Sequence, residues 1–484
     1  MFITVNAGPG SGKSHSLTMS YLLLSGRTKV PSFASDEQRA IYDFILSEFP
    51  KSTKVAFFSH TNTVKDHLSN SLPKSVAVKT FHGHGQSQLI RRYGYQALTR
   101  TRTDEFISDI TGKHLQDLSS REKWQWITVK RLVSYLKQEY LDPTEENLEY
   151  CLMKYSEFSS SNLPSDWKGK AAELMRLSLS NNHKVEFGDM TWMAAKKLKK
   201  PVYDIGFVDE HQDMGGATFE LVRQMCKDVV FCGDPHQAIN AFAGADEKMF
   251  KKVEAYSDAV FPLKTTFRCP VNIIDRANDI YPGSVAPGPN KEIGEDRSLT
   301  YSKFFSHLPE KDPEKVLVLS RTNAPLVSIG LKFRTKGVPV KLADKDLANK
   351  LISFVKGLHC RDIGNLSKRL EDYVQQQAKR KNQMARLNAE DNAACILELS
   401  VGCTSLKALY DKIKEVIDLP NKKEAYLLAT IHKAKGLEAE NVYILDPPIE
   451  HPLAMEHPIA KQQEHNLHFV AITRTKLNLY WVKP

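Results

Sequence analysis

The chain has 484 residues, which at roughly 100–200 residues per domain allows about three or four domains and several cores without disulfide help. Lys and Arg number 67 against 57 Asp and Glu, a formal charge of +10 that hints at a polyanionic partner. Hydrophobic residues at 41%, with 24 Gly and 23 Pro, exclude collagen-like and Pro/Gly-rich disordered chains.

The N-terminal Met1–Asn6 runs at once into a Gly-rich loop and lacks the basic start, apolar stretch and cleavage site of a secretory signal. Apolar runs such as Ala425–Ala429 fall far short of the ~20 residues that span a bilayer. A soluble chain with no membrane partner is expected, in the cytoplasm or, if phage-encoded, the host cytoplasm. The seven cysteines, Cys151, Cys226, Cys232, Cys269, Cys360, Cys395 and Cys403, are odd in number with no C-x-x-C pair, which fits reduced thiols.

In chain order, short apolar runs predict strands at Phe2–Asn6, Val55–Ser59, Val76–Phe81, Ile205–Asp209 and Val229–Cys232. A second group follows at Val316–Leu319, Tyr426–Ile431, Val442–Leu445 and Leu479–Val482. Such runs alternating with helical patterns fit parallel sheets buried on both faces, hence two doubly wound α/β domains. Residues 89–200 and 351–420 break the rhythm with helical spacing and read as inserted helical subdomains. The expected organisation is a first domain of 1–88 and 201–262 with the insertion 89–200. The second domain is 263–350 and 421–484 with the small insertion 351–420.

Ala7-Gly8-Pro9-Gly10-Ser11-Gly12-Lys13-Ser14 lies between a predicted strand and a helical segment and, apart from its first residue, has the P-loop pattern. Its glycines let backbone N–H groups wrap phosphates at a helix N-terminus. Lys13 can reach the β/γ-phosphates, and the Ser14 hydroxyl can sit on Mg²⁺. Phe207–Asp213 then supplies carboxylates at the end of a strand: Asp209 to hold the metal and Glu210 to take a proton from water.

Together these motifs resemble the UvrD/Rep branch of superfamily 1 DNA helicases, over most of both α/β domains. The resemblance implies two RecA-like P-loop domains, ATP and Mg²⁺ as cofactors, and 3′-to-5′ travel on single-stranded DNA or at single-strand/duplex junctions. Asp209–Asp213 resembles the family's Walker B box. Phe58–Asn62 and Lys79–Gly83 resemble its strand-contacting motifs, which implicates Thr61, Asn62, Thr80 and His82. In Gly233–Ala245, Gln237 falls on the phosphate-sensing glutamine and Phe242 on the base-stacking aromatic. Thr266-Phe267-Arg268 resembles the adenine-stacking aromatic and arginine finger. Thr430–Glu438 implies Thr430 and His432 near DNA and Glu438 near nucleotide, and Val470–Lys476 supplies Arg474 as a second finger. Nucleotide is expected between the domains, so that hydrolysis drives their opening and closing.

The chain also departs from the family. Only six residues precede Ala7, where an adenine-reading Gln would stand; Gln38 in Ser35–Ala40 is expected to return to the adenine edge, or else to be an exposed helix-cap residue. Asn240 replaces the usual Tyr and Ala243 the usual Arg, and the second insertion is short. Those departures keep open an ATP-gated subunit working with a nuclease, replication or repair protein. RNA in place of DNA is a further alternative, and no nuclease domain is expected beyond Pro484. His60, His67, His82 and His84 lack the acidic or thiol partners of a metal site. Lys196–Lys200 reads as a solvated face or a phosphate contact.

Overall fold

The computed structural model describes residues 1–51, 54–155, 163, 166–180, 183–239, 247–378, 383–417, 425–445 and 458–483. It divides into two compact units, Met1–Thr265 and Thr266–Pro484. The first unit runs β1 (Phe2–Ala7), α1 (Lys13–Leu24), α2 (Asp36–Glu48), β2 (Val55–Ser59), α3 (Asn62–Ser71), β3 (Ala77–Thr80) and α4 (Phe81–Tyr93). Then follow β4 (Ala97–Leu98), α5 (Arg102–Thr111), α6 (Ser120–Glu139), α7 (Glu145–Tyr155), α8 (Trp167–Ser180), β5 (Lys184–Val185) and α9 (Asp189–Lys197). It closes with β6 (Tyr203–Asp209), α10 (Gly216–Met225), β7 (Cys226–Gly233), α11 (Glu247–Tyr256) and β8 (Ala259–Leu263).

Six of these strands form one sheet in the order β3-β2-β6-β7-β1-β8, and each neighbouring pair is parallel. Alternate side chains enter two cores. Val55, Phe57, Ile205 and Phe207 pack with Leu17, Ile41 and Leu68 of the helices on one face. Ala56, Phe58 and Val208 pack on the other with Val129, Leu132 and Trp192. The chain between β3 and β6 is therefore not a separate globule, because its apolar side chains continue the core of the sheet. It is mainly helical, but β4 and β5 pair in parallel as a two-stranded ribbon, which the helical reading of 89–200 omitted.

The second unit runs α12 (Val271–Ile280), β9 (Asp296–Thr300), α13 (Tyr301–His307), β10 (Val316–Ser320), α14 (Asn323–Thr335), β11 (Val340–Leu342) and α15 (Leu347–Gly357). It continues with α16 (Leu366–Ala378), α17 (Gln383–Ser400), α18 (Leu406–Ile417), β12 (Tyr426–Thr430), β13 (Ala439–Leu445), α19 (Pro458–Ile472) and β14 (Thr475–Lys483). Its sheet is also parallel, in the order β11-β12-β10-β13-β14-β9. Helices α14 to α18 share a core of their own through Leu351, Leu370, Ile396 and Ile413.

Every central strand falls where the apolar runs predict it. The strands that the sequence reading lacks are β4 and β5 of the two-stranded ribbon and β8, β9 and β11 at edges of the two six-stranded sheets. Edge strands need burial on fewer sides, so β11 can be short, β9 polar, and β8 can carry Pro262, whereas the fourth edge strand, β3, falls at a predicted run. Three expected boundaries fall inside elements: 88/89 cuts α4, 262/263 cuts β8 and 350/351 cuts α15. In α4 the buried Leu89 continues the helix's apolar face past that point.

Helix α4 lies so close to α9 that a Cβ on Gly85 would stand 1.9 Å from the Met190 carbonyl oxygen. Gly85→Ala is expected to lower the unfolding free energy by about 3 kcal/mol, since backbone must move and the ~1 kcal/mol helix propensity of Ala does not offset it. A urea midpoint that falls with an unchanged slope would register this.

Candidate nucleotide and nucleic-acid site

Strand β7 lies between β1 and β6, with Asn6 level with Gly233 and Asp209 level with Cys232. The loops after all three strands therefore leave the same sheet edge. After β1 the chain turns through Gly10 at φ 69° and Gly12 at φ 80°, left-handed values that suit glycine. Gly12 N-caps α1, the Gly8 N–H donates to Leu263 O at 2.8 Å, and Ser11 Oγ donates to Gly8 O at 2.9 Å. Lys13 makes no ion pair among the described residues.

After β6, Asp209 is fully buried, and Ser14 Oγ donates to its Oδ2 at 2.5 Å. Burial and the neighbouring Glu210 charge push the Asp209 carboxyl upward, while the Ser14 hydroxyl and Lys13 pull it back. A hydroxyl and a carboxylate beside a P-loop are hard oxygen donors, which fits Mg²⁺. Glu210 sits at φ 57°, a left-handed conformation uncommon outside glycine, and turns sharply off the strand.

Gln212 links this carboxylate to the next loop: its Nε2 donates to Glu210, and its Oε1 accepts the Asp234 N–H at 3.0 Å. Gln237 is buried and donates to Asp234 Oδ2 at 2.7 Å. A continuous hydrogen-bonded path thus runs Glu210–Gln212–Asp234–Gln237. Phe242, Asn240 and Ala243 lie outside the described residues.

Gln38 is neither exposed nor distant. It is 2% exposed; its Oε1 accepts the Ser35 N–H, its own N–H donates to Ser35 Oγ, and its Nε2 donates to Ser16 Oγ at 3.0 Å. Its amide nitrogen would be 3.4 Å from a Cβ on Gly12. The neighbouring Glu37 Oε2 accepts the Lys264 and Thr265 N–H groups, both at 2.8 Å.

The predicted strand contacts leave the same edge after β2 and β3. Thr61 caps α3, Asn62 is its exposed first residue, and Thr80 caps α4 by accepting the Gly83 N–H. His82 stacks on Phe187, with ring centroids 3.8 Å apart and planes at 20°. Burial, then the nearby His60, lowers His82 to about 4, so the stacked ring is neutral. Phe187 is 61% exposed and was absent from the sequence reading. A bulky aromatic left in water at the end of a polar run was the signal available. Lys196 of the basic cluster pairs with Asp142 at 2.9 Å and covers the Tyr140 ring.

In the second unit, Arg268 reaches Glu438 at 2.5 Å and donates to Thr473 O at 3.2 Å. Lys476 holds the other Glu438 oxygen at 2.6 Å. Phe267 is half-buried. Arg474 is buried and folded onto the end of α19, donating Nε to Val470 O at 3.0 Å. Thr430 ends β12, and burial, then Arg321 and Lys433, lowers His432 to about 3. Arg321, unnoticed in the sequence, clamps the buried Glu464 through three hydrogen bonds.

Residues 2–257 match the UvrD/REP helicase N-terminal domain, and residues 356–483 match the UvrD-like helicase C-terminal domain. The chain belongs to the UvrD/Rep-like superfamily 1 helicases. F-box DNA helicase 1 of Gallus gallus is 26% identical over 318 residues, covering 58% of this chain and 29% of that protein. The RecBCD enzyme subunit RecB of Mycolicibacterium smegmatis is 26% identical over 122 residues, 25% of this chain and 11% of that protein. This helicase-family chain thus spans less than a third of the length of these curated relatives.

None of its seven cysteines is in a disulfide, and among the described residues no helix is long and apolar enough to cross a membrane. Among them too, no group of three or more His, Cys, Asp or Glu is placed to hold a metal ion. His84 instead has a structural role: fully buried against Phe58, it pairs through Nε2 with Phe57 O at 3.0 Å. Burial lowers it from 6.5 to about 4, the Phe57 bond opposing. A folded-state value below the unfolded one gives stability that is whole above pH ~6.5 and is lost as pH falls toward ~4. That loss should reach about 3 kcal/mol. His84→Gln, which keeps the donor, should flatten the corresponding part of a pH–stability profile from urea melts.

Proposed function

We propose that this chain is an ATP- and Mg²⁺-dependent translocase and helicase that moves 3′-to-5′ on single-stranded DNA. The observation that carries the reading is the Ser14–Asp209 pair at 2.5 Å beside the P-loop, on the same sheet edge as the His82–Phe187 stack. Mg²⁺ held at Ser14 and Asp209 would supply positive charge to the nucleotide's phosphates. Lys13 and the P-loop N–H groups bind those phosphates, and Glu210 accepts the proton of the attacking water. The path through Gln212, Asp234 and Gln237 orients that carboxylate and leads into the segment that contains Phe242.

Arg268 and Arg474 are the transition-state arginines, and Glu438 and Phe267 contact the nucleotide. Both guanidinium groups rest on protein oxygens, so an anionic ligand has to displace those bonds. Thr61, Asn62, Thr80, His82, Thr430 and His432 form the strand track. Phe187 adds an aromatic face, and stacking on it is worth ~1–3 kcal/mol per base with little dependence on base identity. That tolerance suits a motor that must step along any sequence.

Similarity to a protein named as an enzyme subunit supports a second reading. In it the chain is an ATP-gated strand-binding subunit that positions a nuclease, replication or repair protein and unwinds little. RNA as the strand is tested by the same experiment.

Steady-state ATP hydrolysis should be strongly stimulated by single-stranded DNA, and less by duplex DNA or RNA. Lys13→Ala should lower it by roughly a hundredfold or more, as loss of a transition-state donor does. Unwinding of a duplex with a 3′ overhang, and not of one with a 5′ overhang, should accompany it. Stimulated turnover without unwinding would favour the subunit reading, and turnover indifferent to nucleic acid would defeat both.

Gln38 acts on nucleotide through the P-loop, since both ends of its amide are already bonded. Gln38→Ala should raise the KM for ATP and GTP alike, a few-fold, roughly the effect of losing one hydrogen bond. A change in ATP/GTP preference would instead make it an adenine reader.

A further inference from the structure

Phe187 projects into solvent from a turn that is held from below with unusual firmness. The Glu186 carboxylate accepts the Thr103 N–H at 2.9 Å and the Thr103 hydroxyl at 2.7 Å, in the first turn of α5. On the other side of Phe187, Asp189 is 1% exposed and collects three donors. Its Oδ2 takes the Glu186 N–H at 2.9 Å and Arg102 Nη1 at 2.5 Å, and its Oδ1 takes Lys137 Nζ at 2.8 Å. Arg102, itself 1% exposed, also donates to Ser178 O at 2.7 Å. Lys137 is buried over the Trp192 ring. Backbone bonds from Asp189 N to Glu186 O and from Met190 N to Phe187 O close the turn.

Stability alone does not account for this network. Two cations and one anion are taken out of water, at an effective cost of several kcal/mol per ion, and apolar residues of the same shape are often as stable or more so. Its geometric effect is specific, because four helices or helix ends converge on residues 186–189. Helix α5 contributes Arg102 and Thr103, α6 contributes Lys137, α8 contributes the Ser178 carbonyl, and α9 begins at Asp189. The residue so framed is an exposed phenylalanine whose ring lies on His82 of α4. An exposed aromatic on a loose turn would have to be ordered each time a base arrived. One held in place beforehand does not incur that entropy.

We infer that Arg102, Asp189, Lys137 and Glu186 are positioning residues for nucleic-acid binding: they hold Phe187 against His82 so that an incoming base meets a preset aromatic face. The inference rests on the strand-track reading of Phe187 and His82 given above.

Lys137→Met tests it, because Met keeps an unbranched chain over Trp192 and leaves Asp189 paired with Arg102. Turnover without strand and the thermal midpoint should stay near those of the parent, as removal of one buried charge from an unequal triad allows. The Kd for a strand carrying 2-aminopurine should rise by about tenfold, and its stacking quench should shrink, as expected for a stack held less well. Lys137→Arg should restore both readouts. On a Phe187→Ala background, Lys137→Met should weaken binding no further. Glu186→Ala, which releases Thr103 alone, gives the same comparison if Lys137→Met does not fold.

Parent-like strand affinity and quench in both variants would overturn the inference. So would equal weakening with and without Phe187. If Phe187→Ala itself leaves strand affinity unchanged, the strand-track reading fails and this inference with it. A large Phe187→Ala effect beside silent Lys137 and Glu186 variants would reject the positioning role alone.

Discussion

The parallel pairing of β7 between β1 and β6 is the constraint on which the first unit depends. It sets Asn6 level with Gly233 and Asp209 level with Cys232, so that three loops far apart in sequence emerge side by side. Parallel strands need crossover helices on the sheet faces, and those faces are closed here by two separate apolar cores. Because side chains alternate, a one-residue slip in that register would turn Asp209 toward the wrong face and force Phe207 from one core into the other. The site's precision is thus a by-product of burying Phe57, Phe207 and Val230.

Once the edge is set, its polar groups depend on one another. Asp209 is buried at a cost that the Ser14 hydroxyl partly offsets, and the Glu210 N–H also donates to its Oδ1 at 3.0 Å. Glu210 itself occupies a backbone region that costs a non-glycine residue on the order of 1–3 kcal/mol. The bond from Gln212 helps to hold it there, and Gln212 is in turn fixed by Asp234. Movement at the carboxylate therefore cannot leave Asp234 or Gln237 undisturbed.

The second unit repeats the parallel-sheet plan with opposite electrostatics. Its key groups are cations, and each rests on protein oxygens: Arg268 and Lys476 on Glu438, Arg474 on the end of α19. Arg321 and Glu464 brace β10 against α19 from within, with Glu464 2% exposed. Each guanidinium thus rests on carboxylate or carbonyl oxygens of the protein, while Arg268 Nε has no partner among the described residues.

Much of this was legible from residues alone. Central strands announce themselves because burial on both faces demands unbroken apolar runs. The P-loop and Asp209-Glu210 announce themselves because phosphate and metal chemistry tolerates few residue types at fixed local spacing. Strands β8, β9 and β11 did not, since Pro262 interrupts the first, polar residues fill the second and the third is only three residues long. Nor did Phe187, Gln212, Arg321 or the Arg102–Asp189–Lys137 network, whose partners lie tens to more than a hundred residues away. Sequence by itself determined the local chemistry, the domain class and the family. Tertiary structure alone decided which loops meet, that Gln38 lies buried beneath the P-loop, and that the exposed Phe187 stacks on His82. Spacing along the chain encodes contacts within a few residues, whereas these depend on sheet order and on packing between distant elements.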